Sequence, residues 1–264
     1  MRYLLEREDC TLVCEMEGSG QPLLLIHGIA CDREYFKGAA ERLKENFTVI
    51  RYDRRGYSDS KAKENADYSL ATQAQDGLAV LEKAGFQDAF IAGSSAGSLV
   101  GLEMAYSAPK TVRALFLHEP PLAMTVKDQE VIDFWREKLM KDSDEGKLNR
   151  AMLHFYQIIG GSDPKAEPRS LEETAKAMEN MKVSLKFELE EILTYYRVLE
   201  KREKLSIPIC LAAGKEDTEG IFSVAAKENA KVLGVKFLSV GGYHNFPLER
   251  PGEFSKALQD FFLK

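Results

Sequence analysis

The chain alternates short apolar runs with longer stretches whose apolar residues recur every three or four positions. Residues 3–6 and 10–15 read as paired opening strands, and 22–27 as a compact apolar strand that ends in His-Gly. Between positions 33 and 46, Tyr35, Phe36, Ala39, Ala40 and Leu43 recur at helical spacing and predict one buried face. Residues 47–52 predict a strand. Residues 69–84 predict a helix with Leu70, Ala74, Leu78 and Leu81 on one side and Gly85 as its stop. The rhythm continues with a strand at 89–92, a helix at 96–108 ended by Pro109, and a strand at 112–118 closed by Pro120-Pro121. After a charged stretch come a strand at 207–212, a helix at 220–233, a strand at 235–240 and a final helix at 253–263. Strands alternating with helices predict an α/β fold, a mostly parallel central sheet of about eight strands with helices on both faces.

One stretch breaks this rhythm. From 123 to 205 there are helical patterns but no strand pattern: Val131, Ile132, Phe134, Trp135 and Leu139, then 151–159, 171–181 and 185–199. The run Gly160-Gly161-Ser162-Asp163-Pro164 predicts a turn between two of them. The expected organisation is therefore a core built from 1–122 and 206–264, interrupted by a helical insertion at 123–205. The insertion holds the only tryptophan and five of the eight methionines, side chains suited to helix packing or to an apolar wall. Trp135 is the leading candidate to face a substrate, with Phe134 as the alternative. Neighbouring helical residues point about 100° apart, so only one of the two can face inward.

Composition narrows the class. The 264 residues are 44% hydrophobic, and 36 Lys+Arg against 42 Asp+Glu leave a net charge of −6. There is apolar material for a large core, so disorder is excluded as the main state. No cluster of basic residues predicts a nucleic-acid partner. No apolar run approaches the ~20 residues of a membrane span. The start, Met1-Arg2-Tyr3-Leu4-Leu5-Glu6-Arg7, is charged where a secretion signal would be apolar, so a cytoplasmic protein is expected. Cys10 and Cys14 fall on one predicted strand, where four residues span ~13 Å, too far for a disulfide. Reduced thiols are expected.

The chemistry concentrates in three loops. Gly93-Ser94-Ser95-Ala96-Gly97 fits G-x-S-x-G, and it lies between a predicted strand and a predicted helix. Such a turn is a nucleophile elbow, which lifts one side chain, here Ser95, to the C-terminal edge of a sheet. A serine hydroxyl attacks a carbonyl only when a base takes its proton. Of the four histidines, His244 lies in the loop between the last strand and last helix and so reaches the same edge. His154 lies in a helical stripe and reads as structural, and His27 reads as shaping a loop. A carboxylate must fix the histidine tautomer. Asp217, in Gly214-Lys215-Glu216-Asp217 after the strand at 207–212, is the expected acid, since Gly214 permits a tight turn that aims it at His244. Glu119, after the strand at 112–118, is the competing carboxylate. It is expected to contact substrate or water, or to anchor the hinge of the insertion, with Pro120 stiffening the chain behind it. The histidines are dispersed and no nucleotide fingerprint occurs, so neither a metal nor a cofactor is expected.

Leu25-Ile26-His27-Gly28, Asp53-Arg54-Arg55-Gly56-Tyr57-Ser58-Asp59-Ser60, Gly93–Gly97, Gly214–Asp217 and Gly242-Tyr243-His244 occur in this order over nearly the whole chain. Together they resemble the α/β-hydrolase fold family. The resemblance implies the triad order Ser95, Asp217, His244, an oxyanion hole made by the backbone N–H groups of Ile29 and Ala96, and a helical cap where the insertion falls. It implies a cofactor-independent serine hydrolase of small ester or related acyl compounds, with a small molecule as its partner. C–C bond, lactone or amide hydrolysis, perhydrolysis, or a receptor that does not turn over remain open on the same scaffold. Two positions depart from the family pattern: Ser58 replaces a glycine, and Ser94 stands where relatives often carry histidine. A serine rather than an aspartate at the elbow argues against dehalogenase and epoxide hydrolase chemistry.

Overall fold

A computed structural model describes residues 1–122, 126–160, 163–195, 205–217 and 220–264. The strands are β1 (Arg2–Glu6), β2 (Cys10–Gly18), β3 (Gln21–Ile26), β4 (Phe47–Tyr52), β5 (Lys61–Ala62), β6 (Ala89–Ser94), β7 (Val112–His118), β8 (Ile209–Gly214) and β9 (Lys236–Val240). They form one sheet in the order β1-β2-β4-β3-β6-β7-β8-β9, with the two-residue β5 against β2. The β1–β2, β2–β4 and β2–β5 pairs are antiparallel, and every pair from β4–β3 to β8–β9 is parallel. The expected mostly parallel sheet is present, and only the short β5 was not foreseen. The central strands read as unbroken apolar runs because both their faces are covered. Leu23, Leu25, Val49, Ala92 and Phe116 enter one core, while Leu24, Ile26, Ile50, Ile91 and Leu115 enter the other.

Helices α1 (Lys37–Leu43) and α10 (Pro251–Phe262) cover one face, joined through the short α9 (Phe246–Glu249). Helices α2 (Leu70–Lys83) and α3 (Ala96–Ser107) pack together on the other. Ser69 caps α2 by accepting the Thr72 N–H, so the start of that helix follows from its sequence. Helix α8 (Ile221–Leu233) ends at Gly234, in the left-handed conformation that glycine adopts freely. The cysteines are all free thiols, Cys10 and Cys14 both on β2.

Between β7 and β8 the described elements are helices: α4 (Val126–Asp144), α5 (Leu148–Ile158), α6 (Leu171–Val183), a π-helical turn (Ser184–Glu188) and α7 (Leu189–Leu193). Ser170 and Glu173 form a reciprocal capping box at the start of α6. No helix among the described residues is long and apolar enough to cross a membrane.

Candidate active site

The parallel register aligns the strand ends. Ser94, the last residue of β6, pairs with His118, the last of β7, and His118 pairs with Ala212 on β8. The next residues, Ser95 and Glu119, therefore leave the sheet at one edge. Ser95 N–H donates to the His118 carbonyl (2.8 Å), and Glu119 N–H donates to the Ala212 carbonyl (2.9 Å). Both take the left-handed region, with φ of 53° at Ser95 and 43° at Glu119. Non-glycine residues avoid that region, and such strain gathers where a side chain must be aimed. The turn at Ser95 is tight enough that a Cβ on Gly93 would overlap the Gly97 carbonyl, and one on Gly97 would overlap the Ile26 carbonyl. The two outer glycines of the motif are thus demanded by backbone contact.

Glu119 supplies the carboxylate that meets His244. Its Oε2 lies 2.6 Å from His244 Nδ1, and its Oε1 accepts the Gly214 N–H at 2.9 Å. The side chain is fully buried. Burial alone would raise the carboxyl, but the His244 hydrogen bond, the neighbouring histidines and the Gly214 N–H outweigh it and leave the pKa below the usual glutamate value. Glu119 is thus a carboxylate at neutral pH. His244 Nδ1–H donates to it, leaving Nε2 as the basic nitrogen.

Asp217 is not the partner of His244, contrary to the sequence expectation. Its carboxylate is packed against Gly160 and Gly220 and takes the Gly220 N–H. Burial and the Glu119 charge push its pKa up, partly offset by the Gly220 N–H and His244. Gly214 makes no left-handed turn toward it. That glycine is required because a Cβ there would overlap the Gly242 carbonyl, and its N–H serves Glu119. Glu119 in turn is neither a substrate-wall residue nor a hinge anchor, since both its oxygens are committed to the strand end and to the histidine.

Ser95, His244, Gly28 and Ile29 line one small cavity. Ser95 is only 7% exposed, whereas its place on a tight turn predicts an exposed hydroxyl. The insertion covers it: Phe155 and Tyr156 of α5, Ile159 and Arg169 form part of the wall. Trp135 is not in this wall. It lies 6.0 Å from the His154 ring on α5 and 5.5 Å from Phe134, which is itself exposed. Helix α5 carries the cavity-facing residues next to His154, so α4 packs behind it. His154 meets Asp142 at 2.6 Å, consistent with its structural reading.

The N–H groups of Ile29 and Ala96 have no acceptor among the described residues. The loop carrying Ile29 is held from below. His27 Nδ1 donates to the Gly28 carbonyl (2.8 Å) while Nε2 accepts the Arg54 N–H (3.0 Å), so both nitrogens are spent. Burial and the Arg54 charge hold its pKa well below the usual histidine value. Arg54 donates to the His27 and Gly28 carbonyls (3.1 and 3.2 Å) and reaches Glu188 in the π-helical turn (2.9 and 3.2 Å). Tyr57 OH lies 2.5 Å from the same carboxylate. This network, which ties the loop carrying Ile29 to the insertion, was missed from sequence. The available signal was Glu188 itself, an acid on the apolar stripe of Leu185, Leu189 and Ile192.

The two departures also find partners. Ser58 has a φ of 47°, and its N–H donates to Asn180 of α6 at 2.8 Å. Ser94 Oγ lies 3.1 Å from His118 Nδ1, and burial lowers the His118 pKa to about 4, so that ring is neutral. Among the described residues no three His, Cys, Asp or Glu side chains gather as a metal site.

Comparison with known proteins gives one consistent result. The alpha/beta hydrolase fold family matches residues 21–158. The hydrolase YraK of Bacillus subtilis is 27% identical over 255 residues, spanning 95% of this chain and 92% of its own. RutD of Azorhizobium caulinodans, whose name suggests a carbamate hydrolase, is 26% identical, spanning 96% of this chain and 95% of its own. Among solved structures, an alpha/beta hydrolase from Sphaerobacter thermophilus superimposes with a TM-score of 0.74 at 23% identity, covering 98% of this chain and all of that one.

Proposed function

Because the chain belongs to the alpha/beta hydrolase fold family, whose members here are hydrolases, we propose that it is a serine hydrolase of small acyl compounds, working through Ser95, His244 and Glu119. The observation that carries this reading is the 2.6 Å contact of Glu119 with His244 Nδ1, beside the cavity that Ser95 and His244 share. Ser95 Oγ attacks the acyl carbon while its proton passes to His244 Nε2. Negative charge forms on the acyl oxygen, where the Ile29 and Ala96 N–H groups receive it, each worth ~3–4 kcal/mol in such sites. Collapse breaks the bond to the leaving group, which takes the proton from His244. Water then adds to the acyl-enzyme, His244 takes its proton, and the acid leaves as Ser95 regains its own. Glu119 keeps the imidazole in the required tautomer and offsets its transient positive charge. The walls from 126–195 act as a cap that excludes water, and the partner is a small molecule, with no cofactor required.

The test is a fluorophosphonate probe followed by turnover of esters, amides and carbamates. Wild-type protein should label at Ser95 and turn over at least one class repeatedly. Ser95→Ala should lose both while keeping its melting temperature within a few degrees, since the strained backbone stays as it was. Wild-type turnover by folded Ser95→Ala would refute the mechanism.

A further inference from the structure

We propose that Arg169 is a substrate-binding residue that selects acyl compounds bearing a carboxylate. The inference rests on the serine hydrolase reading and names the substrate class of that site. Arg169 comes from the segment between α5 and α6 and lines the cavity that holds Ser95 and His244. It also lines a wider outer groove, so it stands where the two spaces meet. The interior arginines Arg33, Arg51, Arg54 and Arg55 each reach a carboxylate within 4 Å. Arg169 reaches none among the described residues.

Its cavity-side neighbours are thiol and phenol groups. The guanidinium lies beside Cys31, whose thiol burial pushes up to about 11, and near the Tyr35 hydroxyl, whose pKa burial also raises well above its usual value. Both are neutral at pH 7. The nearby acids of the groove make no ion pair with Arg169 among the described residues, and Glu173 adds charge attraction from a distance. Glu173 takes the Ser170 N–H in the capping box at 2.7 Å, and Asp32 takes the Glu34 N–H and Ser58 Oγ and faces Lys176. A half-buried guanidinium in a largely apolar wall carries a desolvation cost that a bound anion offsets. Its planar fork of N–H donors matches a carboxylate at two points, which a lysine cannot reproduce. The chemistry beside Ser95 then acts on a compound held at its other end by an ion pair, so that binding at a distance orients the reacting carbonyl.

Two matched pairs test the proposal in wild-type protein. Monomethyl succinate against methyl 4-methylpentanoate puts the carboxylate on the acyl side, and O-acetyl glycolate against isobutyl acetate puts it on the leaving-group side. In at least one pair the anionic member should be preferred by ~100-fold in kcat/KM. Arg169→Met should remove that preference, and Arg169→Lys should restore part of it. Calorimetric binding of monomethyl succinate to Ser95→Ala, with and without Arg169→Met, reads the same contact without turnover. If no ester is cleaved and Ser95 does not label, the hydrolase reading fails, while an Arg169-dependent affinity still stands or falls on the calorimetry. Equal use of charged and neutral members, with no binding difference on Arg169→Met, overturns the proposal. Inorganic phosphate competing as strongly as succinate would mark a general anion site and overturn the carboxylate class.

Discussion

The ends of β7 and β8 are neighbours on one sheet edge, and each is followed by an acid, yet only one of those acids meets the histidine. Glu119 follows β7 directly, in a left-handed conformation, and spends one oxygen on His244 and the other on the Gly214 N–H. Asp217 follows β8 after two further residues and turns instead to Gly220 and Gly160. Their electrostatics diverge accordingly. The histidine and backbone donor overcome burial at Glu119 and lower its pKa, while burial and the Glu119 charge raise that of Asp217. A carboxylate comes to meet the histidine through backbone aim and register, and a glycine upstream of an acid does not by itself indicate which acid is aimed.

The largest expected effect separates the two carboxylates by rate. Glu119→Gln should lower kcat by ~10⁴, because a misset imidazole tautomer costs about that much in a serine triad. Asp217→Asn should lower it less than ~tenfold. Steady-state kinetics on any ester the wild type cleaves decides between them, and the opposite ranking would return the acid to β8.

A second contrast uses glycines. Alanine at Gly214 pushes on the Gly242 backbone and disturbs both the Glu119 anchor and the His244 loop, so Gly214→Ala should cost ~1–3 kcal/mol of stability and most of the activity. Alanine at Gly220 pushes first on the Asp217 carboxylate, so Gly220→Ala should destabilise while kcat stays within a few-fold. Urea titrations paired with initial rates separate the two, and equal loss of activity in both would break the contrast.

The smallest effect is thermal and changes sign between the sites. The stability that Glu119 contributes is full above the ordinary carboxyl pKa of ~4.3 and is lost as pH falls through its lowered folded value. Glu119→Gln should therefore melt lower than wild type at pH 7, with the gap closing in acid. Asp217, with a raised folded pKa, favours the fold most below ~3.9 and loses that advantage as pH rises through its folded value. Asp217→Asn should thus melt higher than wild type at pH 7 by up to a few degrees, and the gain should shrink toward pH 4. Melting curves across pH test both signs.

Local patterning carried much of the fold. Central strands buried on both faces are apolar without interruption, and the elbow announces itself because Gly93 and Gly97 are forced by backbone contact within a few residues. The position of His244 followed from its loop at the same edge. The acid was not legible, because its choice depends on the φ of one residue and on the β7–β8 register, neither of which composition encodes. Trp135 failed for a related reason. Periodicity identifies the apolar face of α4 but not that α5 lies between that helix and the cavity. Arg54 and Glu188 are long-range partners, and Arg54 reaches across 134 positions to Glu188, a separation that no local window spans.

The most direct measurement is the proton NMR spectrum of His244 Nδ1–H. Wild-type protein should show one strongly downfield imidazole proton, which Asp217→Asn keeps and Glu119→Gln loses, with His244→Ala confirming the assignment. A signal that survives Glu119→Gln and disappears in Asp217→Asn would contradict the account.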